Sequence, residues 1–372
     1  MYRAIFIDDD KSAKVYAGLL DKSDPDGLGI EFMQPNLALA DLAAKILASK
    51  TQLLLLDYRL DQNPGDNSDQ NRYKAGPLAQ QLRDHAIDTP EDDLPIVLLS
   101  NEENIRKLFV PDETAHDLFD DKNTKQRVQA DAGAVRIELL ALIGAYARIK
   151  EVISSNNRLV PLLGLKGDET AVVAHQVLET VNSLAAPHLI VGHILRHLIR
   201  RSGLLLDDDG LMARLGVAPD SPDRGELIEL LGKRRIGYGG ILATGWRRWW
   251  AHRLLEDLRG FVGSSELFGM VADKRVKALN EAFKLKLKPA ISRWTKKTDA
   301  LVTFACASCR QPTEMAISVA AYDPYPHPFA ERKRICYTCV STGEYEGRNV
   351  RVDERDEFAR EQLVSGKLKP PA

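Results

Sequence analysis

The chain has 372 residues, 44% apolar and 28% charged, with 51 Lys+Arg against 53 Asp+Glu and a formal net charge of −2. That composition excludes a mainly disordered chain, and the length predicts two or three domains. Its longest clean apolar runs, such as Leu53–Leu56 and Leu139–Ile143, are short, and MYRAIFIDDD runs straight into three acids. No membrane span and no secretory leader are therefore expected, and the expected location is cytoplasmic. The near-neutral total hides a polarity. Residues 1–150 hold 18 basic and 26 acidic side chains, whereas residues 232–297 hold 16 basic and 5 acidic ones.

In chain order, Arg3–Ile7 reads as a short apolar strand ending in Asp8, Asp9 and Asp10, and Ser12–Leu20 and Leu37–Ala48 have helical spacing. Gln52–Leu56 is an apolar run ending in Asp57, and Leu78–Asp84 is helical. Pro95–Leu99 ends in Ser100, Leu118–Phe119 precedes Asp120, Asp121 and Lys122, and Ala134–Ile149 closes with a helical period. Strands alternating with helices predict an α/β, doubly wound parallel sheet, and unbroken apolar strands fit a sheet covered on both faces. Chemistry in such sheets collects beyond the carboxyl ends of the strands. Those ends carry Asp8, Asp9, Asp57, Ser100 and Lys122. Three nearby carboxylates want a hard cation such as Mg²⁺. A hydroxyl and an ammonium opposite them suit a phosphoryl group on a carboxylate.

With FIDDD, LLLLDYRL, PIVLLSNEE and LFDDK in this order, residues 1–150 resemble the receiver domain of bacterial response regulators, the CheY-like family, whose sheet is flavodoxin-like. The resemblance implies that Asp57 is the phosphoacceptor and that Asp8, Asp9 and Asp57 hold Mg²⁺. It implies that Ser100 and Lys122 contact the phosphoryl group, that Phe119 is the aromatic switch, and that Gly65 matches a common family glycine. A sensor histidine kinase would be the phosphoryl donor in two-component signalling or a phosphorelay. Three departures stand out: about a dozen extra residues within Asp66–Gly76, Asn123 after Lys122 and Asn101 after Ser100.

Ser154-Ser155-Asn156-Asn157 is a polar break, and residues 151–300 read as a mainly helical output domain of no recognised family. Helical patterns cover Glu169–Leu184, Leu189–Arg201 after Pro187, Leu211–Leu215, Arg224–Lys233, Trp246–Phe261 and Glu266–Leu287. His188, His193 and His197 lack an HExxH arrangement and read first as core or interfacial histidines. HILRHL also bears a weak likeness to a phosphotransfer helix. Asp207–Asp209 reads as a turn or helix cap. Within KRRIGYGGILATGWRRWWAHR, the residues Lys233, Arg234, Arg235, Arg247 and Arg248 are candidate contacts to nucleic acid or to a protein partner. Trp246, Trp249 and Trp250 would either stack on bases or form a buried helical stripe.

Cys306-x-x-Cys309 and Cys336-x-x-Cys339 are separated by 26 residues. Two such knuckles complete a closed tetrahedral Cys₄ site, so a structural Zn²⁺ is expected ahead of a redox dithiol or an iron–sulfur site. With Met315–Tyr322 and Arg334–Tyr337 as strands, and Pro324, Pro326 and Pro328 marking the loop between them, residues 301–345 resemble a zinc ribbon. His327 is a spare ligand there. Residues 346–372 form a charged tail. Together these readings predict a response regulator that is not otherwise an enzyme. Its helical and zinc-ribbon output binds DNA or RNA, or else serves as an adaptor for other protein subunits.

Overall fold

The computed structural model describes residues 1–22, 24–62, 73–111, 113–155, 160–165, 167–173, 175–262, 269–323, 330–348 and 350–371. Gly65, most of the Asp66–Gly76 insertion, Asn156, Asn157, Pro324, Pro326, His327 and Pro328 lie outside the described residues. The chain divides into two compact units, 1–195 with 239–246, and 196–238 with 247–372. The boundaries expected at 150, 300 and 345 fall inside these units. No described helix is long and apolar enough to cross a membrane.

The first unit opens with β1 (Tyr2–Ile7), α1 (Lys14–Leu20), β2 (Leu28–Met33), α2 (Leu39–Ser49), β3 (Leu53–Leu56) and α3 (Ala75–Asp88). It continues with β4 (Ile96–Ser100), α4 (Glu102–Asn104), β5 (Asp121–Thr124) and α5 (Lys125–Ser154). All five strands are parallel, in the order β2-β1-β3-β4-β5. That is a flavodoxin-like sheet. Alternation along the strands serves both faces. Ile5, Ile7, Leu54, Leu56, Ile96 and Leu98 join Leu42, Ile46, Leu78 and Leu82 of α2 and α3 in one core. Phe6, Leu53, Leu55, Val97 and Leu99, equally buried, point to the opposite face, and α1 and α5 pack together.

β2 is a strand that the apolar runs do not mark. β5 begins three residues later than Leu118–Phe119 and is polar in sequence. Beneath it lies a buried charged network. Arg83 of α3 reaches Asp93 and Asp120, each at 2.8 Å, and Tyr146 of α5 donates to Asp120 at 2.8 Å. The unit continues with α6 (His175–Ser183) and α7 (Pro187–Ile194). His188 of α7 turns both its backbone N–H (2.7 Å) and its Nδ1 (2.9 Å) toward Asp93, which makes it a core histidine. Residues 239–246 return as a strap over α5. A Cβ added at Gly245 would lie 2.8 Å from that of Ala141, so only glycine fits.

The second unit contains β6 (Leu205–Leu206), α8 (Asp208–Leu215), α9 (Arg224–Lys233), β7 (Trp249–Trp250), α10 (Ala251–Val262) and α11 (Ala272–Phe283). Its main core gathers Leu211, Leu215, Leu227, Leu231, Trp249, Leu258 and Leu279. The expected helix over Trp246–Phe261 is corrected: Trp249 and Trp250 pair antiparallel with Leu206 and Leu205, and the helix starts at Ala251. Four short strands follow: β8 (Val302–Ala305), β9 (Pro312–Glu314), β10 (Ser318–Ala320) and β11 (Arg334–Cys336). α12 (Tyr337–Thr342) and α13 (Glu357–Val364) complete the chain, and Leu363 of the charged tail enters the cysteine-rich core.

Candidate functional site

β1 and β3 are neighbours, so the residues that follow them emerge together. Asp57 N–H donates to Ile7 O at 2.9 Å, which extends the ladder one step and brings Asp57 beside Asp8. Asp8, Asp9 and Asp57 are all buried, and one carboxylate oxygen from each lies within 4.8 Å of the others. Local backbone donors orient them: Asp10 N–H to Asp8 (2.9 Å), Gln62 N–H to Asp9 (2.6 Å) and Arg59 N–H to Asp57 (2.8 Å). Asp10 turns away and caps the short turn before α1 through Ser12 N–H.

The ammonium in this cluster belongs to Lys125. Its Nζ is 2.7 Å from Asp8 Oδ2 and 3.0 Å from Asp57 Oδ1. Burial, reinforced by the charge of Asp57, pushes the Asp8 carboxyl up to about 7 against the pull of Lys125. Lys125 is raised despite burial, because the Asp57 and Asp8 charges outweigh desolvation. Three carboxylates and one ammonium leave a net deficit of positive charge. Asp8 Oδ2 and Asp57 Oδ1 are buried and share the one Lys125 ammonium. A hard divalent cation with oxygen preference, such as Mg²⁺, fits this donor set.

Lys122 was expected to supply this ammonium, and the structure places it over an aromatic ring. In the β4–β5 register Lys122 pairs with Leu98, two positions short of the strand end, and its ammonium lies over the Phe109 ring at 5.3 Å. Thr124 pairs with Ser100, so Lys125 is the residue that emerges at the acid end. A sequence signal for this exists: Thr124 caps α5 by accepting from Arg127 N–H at 3.0 Å, and a capping threonine marks where a strand gives way to a helix. Phe119 precedes β5 and packs edge-on to Phe109 in the core, 5.6 Å between centroids. Ser100 ends β4 and is fully buried. Asn101 caps α4, which runs on into a π-helical turn at Ile105–Phe109.

The four cysteines also converge. Cys306 and Cys309 sit in the turn between β8 and β9, closed by Cys306 N–H to Gln311 O and Arg310 N–H to Cys306 O, both 2.9 Å. Cys336 ends β11 and caps α12, while Cys339 lies in that helix's first turn. Sγ–Sγ separations are 4.0 Å for Cys306–Cys339 and 3.9 Å for Cys309–Cys336. A tetrahedron of thiolates around zinc has edges of about 3.8 Å for bonds of about 2.3 Å, so the sulfurs fit a metal of that size. Arg293 donates to Cys339 Sγ at 3.2 Å while Glu344 holds its guanidinium at 3.0 and 3.2 Å. The sequence reading had not singled out this arginine.

The proposed basic contacts are largely occupied. Arg234 pairs with Asp257 (2.6 and 2.7 Å), Arg247 pairs with Asp208, and Arg248 donates to the Ile199 and Arg247 carbonyls. Lys233 and Arg235 are exposed. Trp249 and Trp250 are buried and present no face for stacking. Asp207 caps α8 through Gly210 N–H at 2.8 Å, in line with the cap reading, and also binds Arg310 of the first cysteine knuckle.

No family model matches the chain, and no curated protein matches it. Among solved structures it is similar to a response regulator receiver domain protein from Clostridium thermocellum, at 12% identity and a TM-score of 0.26, covering 41% of this chain and 99% of that one. A likeness of that degree carries no argument about function.

Proposed function

We propose that the chain is a receiver-type phosphoacceptor coupled to a binding output. The observation that carries this reading is the buried Asp8–Lys125–Asp57 bridge at the carboxyl ends of β1 and β3. An Asp57 carboxylate oxygen forms the new P–O bond. The phosphorus–nitrogen bond of a phosphohistidine donor breaks, and its electron pair and a proton go to the departing imidazole. Lys125 neutralises charge between Asp8 and the phosphorylated Asp57, and Ser100 at the end of β4 would supply a hydroxyl to the phosphoryl oxygens. Mg²⁺ held by Asp8, Asp9 and Asp57 would screen the phosphoryl oxygens during transfer. A partner histidine kinase supplies the phosphate, and the receiver catalyses only its own phosphorylation and hydrolysis.

The second unit acts by binding, with Zn²⁺ on Cys306, Cys309, Cys336 and Cys339 as a structural staple. The test of the receiver is incubation of the full chain with phosphoramidate and Mg²⁺, followed by intact mass measurement. One added phosphate on the wild type and none on Asp57→Asn is expected. An unmodified wild type, or equal modification of both, overturns the assignment.

A further inference from the structure

The cations of Lys233–Arg253 are mostly spent on internal acids and carbonyls, so the free positive charge of the second unit lies elsewhere. Residues 284–297 hold six basic side chains and no acid. From Lys284 to Lys288 burial alternates, with Leu285 and Leu287 inside and Lys284, Lys286 and Lys288 outside. The two leucines enter the core that contains Val217, Leu227 and Leu279.

The backbone between them is fastened from both sides. Lys286 N–H donates to Asp223 at 2.6 Å and Lys288 N–H to Ser221 Oγ at 2.9 Å. Leu287 exchanges hydrogen bonds with the Asn280 side chain at 2.8 and 3.0 Å. The lysines are therefore presented on a fixed edge, with successive exposed side chains about 7 Å apart where the backbone is extended. Lys288 lies 3.4 Å from Asp220 in an exposed pair, which contributes little. Lys284, Lys286, Lys296 and Lys297 form no ion pair among the described residues and are exposed.

The chemistry of this edge selects a partner class. Protein interfaces are depleted in lysine and rely on aromatic and arginine anchors. Here Arg293 is tied to Glu344 and Cys339, and Trp294 is buried against Tyr337. Lysine acts as a hydrated point charge, suited to single phosphates rather than to forked recognition of a base edge. Residues 284–297 carry no exposed aromatic, so this segment offers no platform for unstacked bases.

We propose that Lys284, Lys286 and Lys288 form a docking edge for the phosphate backbone of duplex DNA, bound without regard to base sequence. This rests on the reading of the second unit as a binding output. It does not require Asp57 to be phosphorylated.

The experiment is fluorescence anisotropy of the full-length, zinc-loaded protein with two duplexes of unrelated sequence across a salt series. Equal affinity for both duplexes is expected, with a log–log salt slope of up to about −2.7 for three contacts. In the double variant Lys286→Glu/Lys288→Glu, affinity at low salt falls at least tenfold. In Lys286→Gln/Lys288→Gln the slope shrinks by about 2. Both variants are checked for zinc content and for Asp57 phosphorylation by mass, which keeps this proposal separable from the receiver reading. No binding by the wild type at low salt overturns the proposal and favours a protein partner. So does an unchanged slope in the glutamine variant, or displacement of DNA by polyglutamate as readily as by unlabelled DNA.

Discussion

Lys122 and Lys125 are separated by Asn123 and Thr124 of β5, and Lys125 bridges Asp8 and Asp57. Its ammonium stands between two buried carboxylates, where a preorganised charge acts most strongly on a developing phosphoryl dianion. Lys125→Ala should slow phosphorylation from phosphoramidate by about 10²-fold, the order seen when one preorganised donor is removed. Lys122→Ala should leave the rate within a factor of about two, because its ammonium lies over the Phe109 ring whereas Lys125 bridges Asp8 and Asp57. Initial rates by intact mass distinguish the two, and the reverse ranking would refute the placement. The acids themselves were legible because each follows an apolar run with a clear end. The lysine was not, because DDKNTK offers two lysines and the polar strand between them has no hydrophobic signature.

The same physics operates on whole elements. β1, β3 and β4 are central strands covered on both faces, so they appear as continuous apolar runs. β2 and β5 are the edges of the sheet, and edges are kept polar, short or irregular to discourage further pairing. In β5 only Asn123 is buried, and β2 carries a glycine and a glutamate within six residues. The tryptophans misled in the opposite direction. Spacing of i, i+3, i+4 mimics a helix face, whereas a two-residue strand set by distant pairing leaves no period to detect.

Nor does a pattern reveal Arg83, a charged residue in the middle of α3 that is almost wholly buried. It neutralises Asp93 and Asp120 together. Burial raises the carboxyl of Asp120, whereas at Asp93 the His188 hydrogen bond and the Arg83 charge overcome burial and lower it. Arg83→Leu would strand two buried acids and loosen α3, α5 and α7 at one point. The expected loss is about 3–5 kcal/mol by urea denaturation, the cost of breaking a buried pair from one side. A loss below about 1 kcal/mol would mean that the network is not holding these helices.

At the scale of the molecule, the two clusters that could hold a metal differ in what they hold up. The acid cluster sits on a sheet whose cores close without it, whereas the sulfurs are themselves part of a hydrophobic core with Val319, Ile335, Val340 and Tyr345. A module of this size cannot close its core by apolar burial alone, and structural zinc contributes about 10 kcal/mol or more in comparable small domains. The first knuckle is also bound to the helices, since Arg310 pairs with Asp207 and Asp209 at the start of α8. Stripping the metal with a chelator should therefore release zinc and abolish hydrogen-exchange protection across β8 to α12. It should also weaken protection in α8 through the loss of the Arg310 anchor. β1, β3 and β4 should keep their protection, and Asp57 should still accept phosphate once Mg²⁺ is restored, because every residue of that site lies between Asp8 and Lys125. Unchanged protection of Val302–Thr342 after verified metal release would show that the cysteines do not staple the fold. Loss of phosphorylation after Mg²⁺ is restored would show that the acid site depends on the metal at the cysteines.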